Sequence, residues 1–75
     1  MTKYVMTDTG VIVFPCTFQH CDFAHFNPTS AGFIKFVENE QNAGELSTVC
    51  YGGSVSLGLK SDPGDSARAT RKLFN

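Results

Sequence analysis

The chain has 75 residues, 41% hydrophobic and 17% charged, which is enough for one packed core and too few for two. Its net charge of −1, with a pI near 6.0, creates no overall positive field to draw in a nucleic-acid backbone or an anionic bilayer. No apolar run nears the roughly 18 residues that span a bilayer, and the start Met1-Thr2-Lys3-Tyr4 lacks the apolar stretch of a secretory signal.

Three cysteines, Cys16, Cys21 and Cys50, cannot close a disulfide framework and suit a reducing compartment. A single domain over residues 1–75 in a cytoplasmic setting, without membrane contact, is therefore the expectation.

Lys3 to Thr7 and Val11 to Phe14 are β-branched and aromatic runs separated by Asp8-Thr9-Gly10, which reads as a hairpin whose glycine can take φ > 0. Pro15 has no N–H, so the second strand ends there or continues only as an edge. From Thr17 to Asn27 the period of two is lost, and Phe18, Phe23 and Phe26 point to one helical turn or a loop packed by its own aromatics. Asn27-Pro28-Thr29-Ser30 breaks any helix, because a residue before proline is pushed toward extended backbone.

Gly32 to Val37 reads as a strand and Glu45 to Tyr51 as its partner, joined by a polar hairpin loop from Asn39 to Gly44. Gly52-Gly53 signals a tight turn, after which Ser54 to Leu59 alternates, with Val55, Leu57 and Leu59 on one side of an expected fifth strand. Asp62 and Pro63 form a helix start, with Asp65 adding negative charge where the helix dipole favours it. The helical wheel places Ser66, Ala67, Ala69, Thr70, Leu73 and Phe74 toward the sheet and Gly64, Asp65, Arg68, Arg71 and Lys72 toward solvent. The fold class is thus α+β: a small antiparallel meander of about four to five strands packed by one C-terminal helix, with a short helical turn or packed loop at residues 17–27.

The sharpest local pattern is Cys16-x3-His20-Cys21-x3-His25. On a helix each Cys–His pair has the i, i+4 spacing that suits a borderline metal such as zinc. The two pairs are offset by five residues, however, and Pro15 marks a strand end, so free cysteine packed as a small hydrophobe, with these residues simply filling core or surface, is the plainer reading. A Cys–His nucleophile would need a base and oxyanion donors that nothing in the sequence places. Gly52-x-Ser54-x-Ser56 lacks the last glycine of a nucleophile elbow and is followed by strand-like residues. Gly52-Gly53 opens no helix and lacks a P-loop lysine. No catalytic residue and no cofactor is expected.

Gly32-Phe33-Ile34-Lys35-Phe36 resembles the second half of the RNP1 strand of RNA-recognition motifs, in which aromatics on a sheet face stack bases. Ala31 stands where a stacking aromatic belongs and Thr29 where a basic residue does, and no helix precedes the segment, so a core strand is the simpler account. Of the phenylalanines, Phe14, Phe18, Phe23, Phe26, Phe33 and Phe36 are expected to pack together, and any surplus left outside would mark a contact surface. The functional expectation is a non-enzymatic protein-interaction module that binds an unknown protein partner or itself, with homodimerisation as one form. Its contact residues are Phe18, Phe23, Phe26, Arg68, Arg71 and Lys72. The alternatives are a small nucleic-acid binder using the basic face of the C-terminal helix, and a metal- or thiol-dependent site at residues 16–25.

Overall fold

The computed structural model describes residues 1–38, 41 and 44–74. Strand β1 (Thr2–Thr7) turns at Asp8-Thr9 into β2 (Gly10–Pro15), and β3 (Ser30–Glu38) and β4 (Leu46–Tyr51) complete an antiparallel sheet of order β2-β1-β3-β4. A 3₁₀ segment, His20–Phe26, lies between β2 and β3. A second, two-stranded ribbon pairs β5 (Gly53–Ser54) with β6 (Leu59–Lys60), and helix α1 (Asp65–Phe74) follows. This is the α+β class expected from the sequence.

The register runs Phe14–Lys3–Phe33–Tyr51 in one row and Val13–Tyr4–Gly32 in the next, so alternate rows face opposite sides of the sheet. One side carries Tyr4, Met6 and Ile34 against Ala69 of α1, with Val11, Val13 and Cys50 around them. The other carries Val5, Phe14 and Ala31, covered by Phe23 of the 3₁₀ segment and by Leu57 and Leu59 of the ribbon. Period-two alternation along β1 and β2 thus feeds two small cores, one above and one below the sheet. A single helix-on-sheet core is not what forms.

Several local expectations change. Gly10 does not use the left-handed backbone; the Thr7 hydroxyl closes the turn instead, donating to the Gly10 carbonyl at 3.0 Å and accepting the Gly10 N–H at 3.2 Å. The fifth strand expected over Ser54 to Leu59 is interrupted, because Gly58 takes φ 67° and reverses the chain, leaving Val55 fully exposed. The hairpin loop expected at Asn39 to Gly44 lies largely outside the described residues.

Gly32 is required where it stands: a Cβ there would collide with the Tyr51 carbonyl oxygen and approach the Gly52-Gly53 backbone, and Gly52 itself takes φ 76° at this corner. The 3₁₀ segment ends at Asn27-Pro28 as expected, but Asn27 is left-handed at φ 54° rather than extended.

Candidate functional site

Helix α1 begins on a buried carboxylate. Asp65 has 0% exposure, although the wheel placed it on the solvent side. Its Oδ2 accepts the Tyr4 phenol at 2.6 Å, the Ser30 hydroxyl at 2.6 Å and the Asp62 N–H at 3.0 Å, and its Oδ1 accepts Arg68 Nη1 at 3.0 Å. The Asp62 carboxylate in turn receives the Gly64 N–H at 3.2 Å, so Asp62 and Asp65 cap the helix reciprocally. That reciprocity explains the inward turn: the box pulls the Asp65 side chain back over the helix start, where β1 and β3 supply hydroxyls. Asp62-x-x-Asp65 was the available sequence signal.

The Ser61 hydroxyl lies 2.8 Å from the Tyr4 phenol oxygen, and since the phenol's single proton goes to the carboxylate, Ser61 is the donor there. Burial, reinforced by the bond to Asp65, pushes the Tyr4 phenol far above its ordinary value of 10.0. Burial also raises the Cys50 thiol, with the Asp65 charge adding to it. A half-open cavity of about 430 Å³ adjoins this cluster, lined by Met6, Thr7, Asp8, Thr29, Ser30, Asp62 and Arg68. Both Asp65 oxygens are already occupied, so the cluster ties α1 to the sheet and offers no free base to the cavity.

The basic face of α1 is smaller than the sequence suggested. Arg68 pairs with Asp62 at 2.9 Å and with Asp65 at 3.0 Å, which raises its own affinity for the proton and lowers that of the Asp62 carboxyl. Arg71 and Lys72 remain exposed. Leu73 and Phe74 stay partly exposed, Phe74 and Phe36 meeting edge to face with centroids 6.0 Å apart, because α1 docks through Ala69 and the Ser66 and Thr70 hydroxyls rather than its C-terminal apolar pair.

Those hydroxyls close one edge of the sheet. The outward N–H of Thr48 donates to Thr70 Oγ1 and that of Cys50 to Ser66 Oγ, each at 2.9 Å. The opposite edge is β2, an uncharged Gly-Val-Ile-Val-Phe-Pro strand. Alternation across the register from Thr48 and Cys50 directs the N–H and C=O groups of Val11 and Val13 outward, and puts Pro15, which has no N–H to satisfy, on the same free side.

The aromatic segment lies beside this bare edge. Phe23 stacks on Phe14 of β2 with centroids 4.2 Å apart, and Phe18 and Phe26 flank Phe23 at 6.2 and 6.4 Å. Phe18 is 49% and Phe26 47% exposed, and Phe36 is similarly open, so the six phenylalanines do not pack together. Three small layers simply lack the depth to enclose them.

The four Cys/His candidates diverge. His20 is buried edge-on between Phe14 and Phe33 and bonds through Nε2 to the Gly32 carbonyl at 2.8 Å. Cys16, Cys21 and His25 are exposed, with His25 lying 4.1 Å from the Phe26 ring. Among the described residues no three His, Cys, Asp or Glu side chains converge on a metal position. No described helix is long and apolar enough to cross a membrane. Searches of family models, curated proteins and solved structures return no match to this chain.

Proposed function

We propose that this chain is a non-enzymatic interaction module whose contact surface is the β2 edge with Phe18 and Phe26 beside it, and that its partner is a second copy. The observation carrying this reading is the unequal treatment of the two sheet edges: α1 hydroxyls cap β4, while β2 presents an apolar, charge-free strand. Unprotected edges of this kind pair with other strands.

A second copy fits for a geometric reason. With a two-fold axis at Ile12, Val11 of one protomer and Val13 of the other exchange both backbone bonds, and symmetry repeats the pair. Pro15 lies beyond that pairing and does no harm. The outer edges of the joined sheet are then the capped β4 strands, so assembly closes at two. A net charge of −1 opposes this little.

Sedimentation equilibrium provides the test: the expected mass is twice the 8.2 kDa of one chain, returning to one chain in Val13→Pro, which removes an outward N–H at an edge position. Phe18→Ala with Phe26→Ala should weaken the dimer while leaving the circular dichroism unchanged. A wild-type monomer at every concentration up to the solubility limit refutes the reading.

A further inference from the structure

The side of the sheet that packs on the 3₁₀ segment and the ribbon is only half covered. Phe23, Leu57 and Leu59 sit over Val5, Phe14 and Ala31, whereas on the β3–β4 half Lys35, Val49 and Tyr51 are exposed and Phe33, Val37 and Ser47 half-buried. On this open half Phe33 and Tyr51 lie side by side on neighbouring strands, with ring centroids 5.8 Å apart and planes 30° from parallel. Tyr51 is 41% exposed, and Val49 beside it is also open. His20 meets Phe33 edge-on at 5.9 Å and fixes it from the covered side.

Among the described residues, the charged side chains in the rows around this pair are lysines. Lys35 occupies the next row on the same side, exposed and without an ion pair to a described residue. Lys3 shares the row of Phe33, and its Nζ donates to the Phe18 carbonyl at 2.9 Å. Lys60 stands opposite Gly53, two positions past Tyr51. Of the described carboxylates on neighbouring segments, Asp22 accepts the Gln19 N–H on the 3₁₀ segment, Glu38 accepts the Gly44 N–H, and Glu45 lies past Ser47, beyond the far end of β4.

From this geometry we infer a binding platform for single-stranded nucleic acid, with Phe33 and Tyr51 stacking bases and Lys35, Lys3 and Lys60 holding phosphates. Flat aromatic surface alone would accept any apolar partner; lysines on its borders, with no carboxylate among the described residues between them, select a planar ligand that carries negative charge. The sheet face is too shallow to enclose a free nucleotide, but a strand can lie across it and reach several lysines at once. The site is separate from the β2 edge and from the Arg71 and Lys72 face of α1, and does not depend on dimerisation.

The test is fluorescence anisotropy with a labelled oligothymidylate at low salt, run beside a duplex of the same length and unlabelled thymidine monophosphate as competitor. The single strand is expected to bind better than the duplex, and the monophosphate to compete poorly. Tyr51→Ala, a change at an exposed ring, should weaken binding roughly 5- to 150-fold, whereas Tyr51→Phe keeps it. Log affinity should fall with log salt at about −0.7 per phosphate contacted, less steeply in Lys35→Ala.

No binding by folded protein at low salt overturns the inference. So does wild-type affinity in Tyr51→Ala, a loss confined to Arg71→Ala and Lys72→Ala, or full competition by the monophosphate.

Discussion

Replacing Asp65 by alanine should remove a large share of the stability of the domain. Its side chain has no exposure and accepts from Tyr4, Ser30, Asp62 and Arg68. After truncation Arg68 still has Asp62 at 2.9 Å, Tyr4 still has Ser61 at 2.8 Å, and the Asp62 N–H opens toward solvent. The Ser30 hydroxyl, buried, is left without its acceptor, at about 1–3 kcal/mol, and Tyr4 loses a charge-assisted bond of about 1.5–3 kcal/mol. A net loss of about 3–5 kcal/mol, the usual result of removing one member of a buried ionic cluster, follows.

Against a total of about 4–11 kcal/mol for a chain this long, that is a quarter of the stability or more, and toward the lower end of the range it brings the variant to the margin of folding. Urea unfolding followed by far-ultraviolet circular dichroism measures it: with a slope of about 1 kcal/mol per molar, the midpoint should fall by about 3 M or vanish. The double variant Asp65→Ala/Ser30→Ala no longer contains the orphaned hydroxyl. It should therefore be less destabilised than the sum of its singles, by about 0.5–3 kcal/mol. An Asp65→Ala midpoint within about 0.5 M of wild type, or strict additivity in the double variant, refutes the account of this cluster.

Stability should also fall in alkali. Tyr4 and Cys50 hold their protons more tightly folded than unfolded, so their contribution is complete below their ordinary values of 10.0 and 9.0 and declines above them, as the unfolded chain ionises first. In a Tyr51→Phe background, tyrosinate absorbance should appear only together with unfolding, and Tyr4→Phe should flatten the decline. Gly32→Ala should destabilise by about 1–3 kcal/mol in the same urea assay, because its methyl group meets the Tyr51 carbonyl oxygen. Ser66→Ala with Thr70→Val leaves the Thr48 and Cys50 N–H groups without partners, which should lower stability by about 1–3 kcal/mol and make light-scattering mass grow past the dimer as a second edge opens. Acidification should weaken the Asp62–Arg68 pair as the Asp62 carboxyl protonates below its ordinary 3.8; salt should screen the same pair, so pH-dependent helicity should be smaller at high ionic strength.

Strand positions were legible because period-two alternation reports directly which residues are buried on a pleated surface. Lys3 to Thr7, Val11 to Phe14 and Gly32 to Val37 all fall inside observed strands. The helix start at Asp62-Pro63 was legible for a similarly local reason, since capping and proline geometry act within one turn. Where a property depends on what another element brings, the same reading failed. Asp65 looked solvent-facing on its own helix and is buried by hydroxyls from β1 and β3. The residues around Cys16 likewise gave no sign that His20 would be buried between two phenylalanines.

The sequence by itself therefore determined much of the local conformation: where β1 to β4 run, where Asn27-Pro28 stops the 3₁₀ segment, and where the last helix begins. These follow from backbone sterics and side-chain periods that reach only a few residues. The tertiary structure alone decided which sheet edge is capped, which phenylalanines stay outside, and that Phe33 and Tyr51 meet on an uncovered face. Each of those outcomes joins residues far apart in the chain, and contact across such distances is set by how layers of finite depth stack.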